Sequence, residues 1–137
     1  MNAKWSEIKV GDRASFEVAI TPELVAKFVD ISGDDNRLHL DDSFARQKGF
    51  ARRIVHGLLL ASLFSKIVGK FFFGDENLYL AQTITFRKPV FVGDIVKVEG
   101  LVKNKIESVR ILHIETTVNT PDGEVALSGE AQVTYKE

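Results

Sequence analysis

The stretch Ser32-Gly33-Asp34-Asp35-Asn36-Arg37-Leu38-His39 sets a carboxylate and an imidazole five residues apart. An Asp and a His sharing one water molecule suit the hydration of a conjugated double bond. One group removes a proton from water, and the other delivers a proton to the α-carbon. Histidine, with an unperturbed pKa near 6.5, serves either role at neutral pH, and positioned acid–base groups contribute roughly 10²–10⁴-fold in rate. Spacing alone does not bring the two together. Five helical positions leave side chains roughly 140° apart, and an odd separation on a strand points them to opposite faces. Asp34 and His39 therefore converge only across an irregular backbone, which Gly33 and Asn36 tolerate. The competing reading is a turn after a helix, with His39 on the surface.

A second feature lies at Ile54-Val55-His56-Gly57, where a long apolar run begins. Uncapped N–H groups at a helix start suit a carbonyl oxygen that gains negative charge, and hydration of an enoyl thioester passes through such an enolate-like state. Gly57 has no side chain to block that approach, although it would equally serve a tight helix entry. A hard-metal cluster of Asp34, Asp35, His39, Asp41, Asp42 and His56 is the alternative use of these polar residues. Its spacing fits no metal loop, so a solvated acidic turn is expected, with no metal. Phe71-Phe72-Phe73 reads as core or subunit interface rather than an acyl tunnel, and His113 as a sheet-surface residue.

These groups must be held by something. Ala14 to Ile20 predicts a strand with Phe16, Val18 and Ile20 on one face. Thr21-Pro22 then supplies an N-cap and a first-turn proline for a helix carrying Leu24, Phe28 and Ile31, with Gly33 as its stop. From Asp34 to Val55 periodicity fails, which predicts an irregular excursion with a turn of helix near Ser43 to Gln47. His56-Gly57 opens a second helix that is apolar on nearly every side until Lys66, the mark of a buried helix. Leu78 to Arg87, Ile95 to Lys105, Val109 to Asn119 and Glu124 to Tyr135 alternate as strands, and Thr120-Pro121-Asp122-Gly123 is a hairpin turn. The expected fold class is α+β, a single hot-dog domain over residues 1–137 with a long central helix wrapped by a curled antiparallel β-sheet. Its open edge favours a homodimer.

Composition narrows the function classes. The 137 residues fit one core, and 45% of them are hydrophobic. Eighteen basic against 19 acidic residues leave a net charge of -1, so a nucleic-acid partner is not expected. The chain has no cysteine, which rules out disulfides, thiolate metal sites and Cys nucleophiles. No apolar run approaches the ~20 residues of a membrane span, and the N-terminus lacks a signal-peptide stretch. A cytoplasmic protein with no membrane association is the expectation.

The segment from Asp34 to His39, with Ala45 beyond it, resembles the signature of the MaoC-like (R)-specific enoyl-CoA hydratases, roughly S/T-G-D-x-N-P-L-H followed by alanine or serine. The likeness continues through IVHGLLLASLFS and YLAQTITFRKPVFVGD, and covers about Phe28 to Asp94. It is nearest the short, stand-alone hydratases that feed polyhydroxyalkanoate synthesis. The resemblance implies that Asp34 and His39 are the catalytic pair, that Asn36 supports their geometry at the substrate site, and that Gly57 donates to the thioester carbonyl. It also implies that Ser65, Leu63 and Ile67 bound the acyl pocket. Two residues depart from the pattern, Arg37 and Arg53, each standing where proline is usual. Arg37 is expected to loosen the loop that aims His39, and Arg53 to attract a coenzyme A phosphate, with Arg52, Arg87 and Lys88 as further candidates. The FRKPV segment followed by Gly93-Asp94 is common to hot-dog proteins, so it supports fold rather than reaction.

The activity so implied is reversible syn hydration of trans-2-enoyl-CoA to (3R)-3-hydroxyacyl-CoA, with no cofactor beyond the coenzyme A of the acyl-CoA substrate. The rivals are a dehydratase acting on (3R)-hydroxyacyl carrier-protein thioesters, a hot-dog acyl-CoA thioesterase, and a non-catalytic acyl-binding dimer.

Overall fold

Period-two alternation becomes a single sheet. A computed structural model describes residues 4–72 and 74–136. Its strands are β1 (Arg13–Ala19), β2 (Asn77–Gln82), β3 (Thr85–Phe86), β4 (Ile95–Ile106), β5 (Ile111–Asn119) and β6 (Val125–Tyr135). They form one antiparallel six-stranded sheet in the order β1-β4-β5-β6-β2, with β3 also paired to β6. Register sets Val98 opposite Val118, and Val118 opposite Leu127. Every second residue of β4 and β5 therefore points to one side, where Val96, Val98, Val102, Leu112, Ile114 and Val118 are buried. Each such side chain contributes about 1.5–3 kcal/mol on burial.

That apolar face receives the central helix, a run of three short pieces: α4 (Gly57–Ser62), α5 (Phe64–Lys66) and a π-helical turn over Ile67–Phe71. Leu59, Leu60, Phe64, Ile67 and Val68 pack into the core. The helix is not buried on all sides, however, because the sheet is unclosed and covers only part of the cylinder. Leu58 is 60% exposed, and Ser62, Ser65, Lys66 and Gly69 share its open side. Beyond it, Phe72 is buried and Phe71 packs parallel to Phe16, while Phe73 lies outside the described residues.

The first helix, α1 (Pro22–Ser32), is bounded as its sequence predicts. The Thr21 hydroxyl accepts from Leu24 N–H at 3.2 Å, and Gly33 stops the helix in the left-handed region at φ 75°. Its inward residue is Val25 rather than Ile31, which is 83% exposed.

Two stretches differ from expectation. The segment predicted as one strand from Leu78 to Arg87 divides into β2 and β3. Between them the Thr83 hydroxyl, in place of a main-chain carbonyl, accepts from Glu130 N–H at 2.9 Å, which interrupts the ladder. The excursion from residue 34 to 55 holds more helix than periodicity showed: α2 (Arg37–Leu40) as well as α3 (Asp42–Gln47). Both begin with a side-chain cap. Asn36 Oδ1 accepts from Leu38 N–H at 2.9 Å and Asp41 Oδ1 from Phe44 N–H at 3.1 Å. The Phe44 N–H is the main cause that holds the Asp41 carboxyl below its ordinary range. No helix among the described residues is long and apolar enough to cross a membrane.

Candidate active site

Asp34 follows the left-handed Gly33, and its main chain turns at once. Ser32 Oγ accepts from Asp34 N–H at 3.1 Å, and Asp34 Oδ1 accepts from Asn36 N–H at 3.2 Å, an Asx turn. The turn ends on Asn36, which caps α2 and so fixes the helix that carries His39. Within those five residues the chain reverses, and His39 Nε2 comes to 3.9 Å from Asp34 Oδ2. The irregular backbone required by the spacing is this turn.

His39 is oriented from its other nitrogen. Nδ1 lies 2.8 Å from the carbonyl of Ile54, which can only accept, so Nδ1 carries the hydrogen and Nε2 presents its lone pair toward Asp34. Burial, the largest influence, holds the His39 imidazole below its ordinary range. The Ile54 carbonyl opposes it, the neighbouring His56 adds to it, and Asp34 opposes it. The result is a neutral imidazole at neutral pH.

The sequence offered His56 only as a member of the rejected metal cluster and as the residue that opens the helix, with no part in the acid–base chemistry, yet it completes the cluster. It is 2% exposed, its Nε2 donates to the Asp34 main-chain carbonyl at 2.9 Å, and its ring stacks on His39 with centroids 3.7 Å apart. The signal available in the sequence was a histidine at the very start of an apolar run. The ligating atoms of Asp34, His39 and His56 lie within 4.8 Å of one another. As a metal site the set is poor, because His56 Nε2 is occupied by a carbonyl and two free donors fall short of a four-ligand shell. Asp41 and Asp42 stand apart as helix caps and clamps, Asp42 Oδ1 accepting from Arg53 N–H at 2.9 Å.

Gly57 opens α4 directly beside this cluster, and its helix has no side-chain cap on the first-turn amides. Two cavities meet there. One, of about 430 Å³, is lined by Asp34, His39, His56 and Gly57 with Phe28, Ser32, Leu58 and Phe86. The other, of about 320 Å³, is lined by His39, Gly57, Ile54, Leu60, Phe86 and further apolar residues, with Arg87 and Lys88 also on its wall. A β-carbon at position 57 would collide with the Phe86 ring, so glycine keeps both the ring and the amide in place.

The remaining sequence candidates sit elsewhere. Neither cavity is lined by Leu63, Ser65 or Ile67. Ile67 is fully buried beneath the sheet, Leu63 is half-buried against the core, and Ser65 faces outward. In the single chain they are not brought to the site, because the helix turns them toward the sheet or the open side. The structure gives Arg37 two local anchors. It occupies the first helical position of α2, where proline is favoured because the N–H has no partner in the helix, and its guanidinium stacks on Phe44 at 4.2 Å. Of the four cations weighed for phosphate, Arg52 pairs with Asp94 at 2.8 Å, Lys88 with Glu124 at 2.9 Å, and Arg87 donates to Ser128 at 2.7 Å. Arg53 is half-buried, and its guanidinium makes no hydrogen bond or ion pair among the described residues.

The chain as a whole is similar to known proteins. The MaoC like domain profile matches residues 6–123. The chain is 42% identical over 126 residues to an (R)-specific enoyl-CoA hydratase of Aeromonas caviae, covering 92% of this chain and 94% of that one. It is 37% identical over 129 residues to a 3-hydroxybutyryl-CoA dehydratase of Methylorubrum extorquens, covering 94% and 82%. The unliganded R-hydratase structure from Pseudomonas aeruginosa superposes with a TM-score of 0.93 at 33% identity, covering 99% of this chain and 87% of that one.

Proposed function

The chain belongs to the MaoC-like domain family, and on that premise we propose that it is an (R)-specific enoyl-CoA hydratase. It adds water reversibly to trans-2-enoyl-CoA and yields (3R)-3-hydroxyacyl-CoA. The observation that carries the proposal is the approach of His39 Nε2 to Asp34 Oδ2, 3.9 Å apart on a cavity that also receives the first amides of the central helix. A water bonded to both groups is aimed at the β-carbon of an enoyl chain lying in that cavity.

The neutral imidazole of His39, with its Nε2 lone pair inward, takes a proton as the water oxygen bonds to C3. The π electrons move toward the thioester, and the oxygen that gains charge is met by the Gly57 N–H. The pair then returns one proton to C2, so the product contains the elements of water and nothing else. Both additions come from the side where the pair sits, which makes the reaction syn. Proton transfer and charge stabilisation are supplied by side chains and main chain, so the proposed chemistry calls on no metal or redox cofactor. Arg53, unengaged beside α3, is proposed to meet a coenzyme A phosphate, Leu63 and Ser65 to bear on acyl-chain fit once a second subunit covers the open side of the helix, and Ile67, buried beneath the sheet, only to back that wall from the core. Asn36 acts by holding α2 beneath the substrate.

We also propose a homodimer. β2 offers an unpaired edge whose Leu78 and Leu80 are 51% and 47% exposed, and pairing it with a second copy would remove that edge. Sedimentation at micromolar concentration should give twice the chain mass; a monomer would refute it. CoA thioesters are intracellular metabolites, which supports a cytoplasmic place, and the product is a monomer suited to polyhydroxyalkanoate synthesis.

The test is purified protein with crotonyl-CoA, followed by loss of the enoyl absorbance. Loss of absorbance with formation of (3R)-3-hydroxybutyryl-CoA is expected. Release of free thiol would make it a thioesterase instead, and preference for a carrier-protein thioester would make it a dehydratase of fatty-acid synthesis.

A further inference from the structure

The catalytic pair accounts for Asp34 and His39 but leaves unexplained a histidine buried between them. Burying an imidazole is costly unless both nitrogens are satisfied, and only one nitrogen of His56 is. Its Nε2–H donates to the Asp34 carbonyl at 2.9 Å, while its buried Nδ1 has no hydrogen-bond partner. Its ring is held between His39, at 3.7 Å and 27°, and Phe28, at 4.9 Å and 53°. Its own carbonyl accepts from Leu60 N–H at 3.2 Å, and the residue after it is Gly57. A purely structural filler at this position would be apolar, since phenylalanine would satisfy the same ring contacts without an orphaned nitrogen.

We infer that His56 is the positioning residue of the site, tying the main chain of Asp34, the ring of His39 and the amide of Gly57 into one rigid unit. This inference rests on the hydratase reading given above. The Nε2–H bond fixes where the Asp34 turn sits against the helix start. The stack fixes the plane of the His39 ring, so that, with Nδ1–H on Ile54, only one direction is left for Nε2. The titratable groups facing His39 are Asp34 from the turn and His56 from the helix start, with Arg87 and Lys88 farther along the cavity wall. Of these, His56 presses the His39 imidazole down, so its removal lets the acidic limb of the pH profile move upward.

Two variants separate the ring from the hydrogen bond. His56→Phe keeps the stack and loses the donor. His56→Gln keeps an N–H that reaches the Asp34 carbonyl and loses the ring. With crotonyl-CoA, His56→Phe is expected to lower kcat by about 10²-fold, the loss associated with misplacing a group by an ångström, while KM changes little. Its melting temperature should hold or rise, because the unpartnered Nδ1 is gone. His56→Gln is expected to recover part of kcat, and both variants should show the acidic limb of kcat/KM moved to higher pH. ¹⁵N NMR of the His39 ring should show the Nδ1–H form dominant in the natural protein and in His56→Phe, which keeps the stack, and mixed with the other tautomer in His56→Gln, which loses it. Natural kcat and pH limb in His56→Phe, or a natural tautomer in His56→Gln, would overturn the inference, and so would a fall in activity matched by a fall in folded fraction. Should the natural protein leave crotonyl-CoA unchanged, the hydratase reading fails, and the NMR measurement still decides whether His56 orders His39.

Discussion

Two regions of this molecule are held together in opposite ways. The sheet and central helix are joined by side chains that leave water: Phe64, Ile67, Leu112, Ile114 and Val118 are all at 0% exposure. From Gly33 to Ile54, the segment that carries the chemistry, Ala45 alone is buried. That segment is shaped by polar side chains that bond nearby main chain, Ser32 to Asp34, Asp34 to Asn36, Asn36 to Leu38, Asp41 to Phe44 and Asp42 to Arg53. The core is specified by burial, which is strong and tolerant of detail. The site is specified by directed bonds, each worth only about 0.5–1.5 kcal/mol but each fixing an angle. Catalysis depends on angles, and so the weaker region is the one that carries function.

The difference can be broken from either side. His39→Ala removes the proton carrier and should lower kcat/KM by about 10²–10⁴-fold while circular dichroism shows the sheet unchanged; a fall of under tenfold would put the chemistry elsewhere. Phe64→Ala acts on the core and should cost about 3–5 kcal/mol in urea unfolding, with turnover per folded molecule retained. Asn36→Ala lies between these extremes. Losing the cap of α2 should cost about 1 kcal/mol, and, because that helix aims His39, kcat should fall more than the lost stability explains.

Acidity offers a subtler contrast. Burial holds the pKa of His39 in the folded protein below the ordinary imidazole value of 6.5, so between these two values the unfolded chain binds the proton more readily. Stability contributed by neutral His39 is present above pH 6.5 and declines as pH falls through that window, and kcat/KM should decline with protonation of the same ring. Melting temperatures of the natural protein and of His39→Gln across that range should converge at low pH; parallel curves would argue against a buried neutral imidazole. Smallest of all is Arg37→Pro, which restores the residue usual in the family. Position 37 is the first of α2, and its pairing with Asp41 at 3.4 Å is exposed, so neither kcat nor melting temperature should move beyond experimental error.

The same contrast explains what was legible in the sequence. Burial on one face writes itself as a period of two, and β1, β4, β5 and β6 lie close to where alternation put them. Thr21-Pro22 and Gly33 bounded α1 because caps are residue-specific. The helix α2 left no periodic trace, since four residues are too few for a stripe, and only the Asn36 and Asp41 caps announce the helices there. The exposed side of the central helix was hidden because Leu58 and Gly69 look apolar whether or not a sheet covers them. The positioning role of His56, which the sequence showed only as a helix opening and a possible metal ligand, was hidden for a related reason. Its role comes from the Asp34 carbonyl and the His39 ring, which reach it from 22 and 17 residues away in the chain, and no local pattern encodes that meeting.

The account stands on Asp34 and His39 acting on one water as a unit. The direct measurement is kcat/KM on crotonyl-CoA for Asp34→Asn, His39→Ala and the double variant, each confirmed folded. If the pair shares the water, the double variant loses little more than the more damaged single one, since one absent partner already disables the other. Two independent losses that multiply, or a single variant with natural activity, would contradict it.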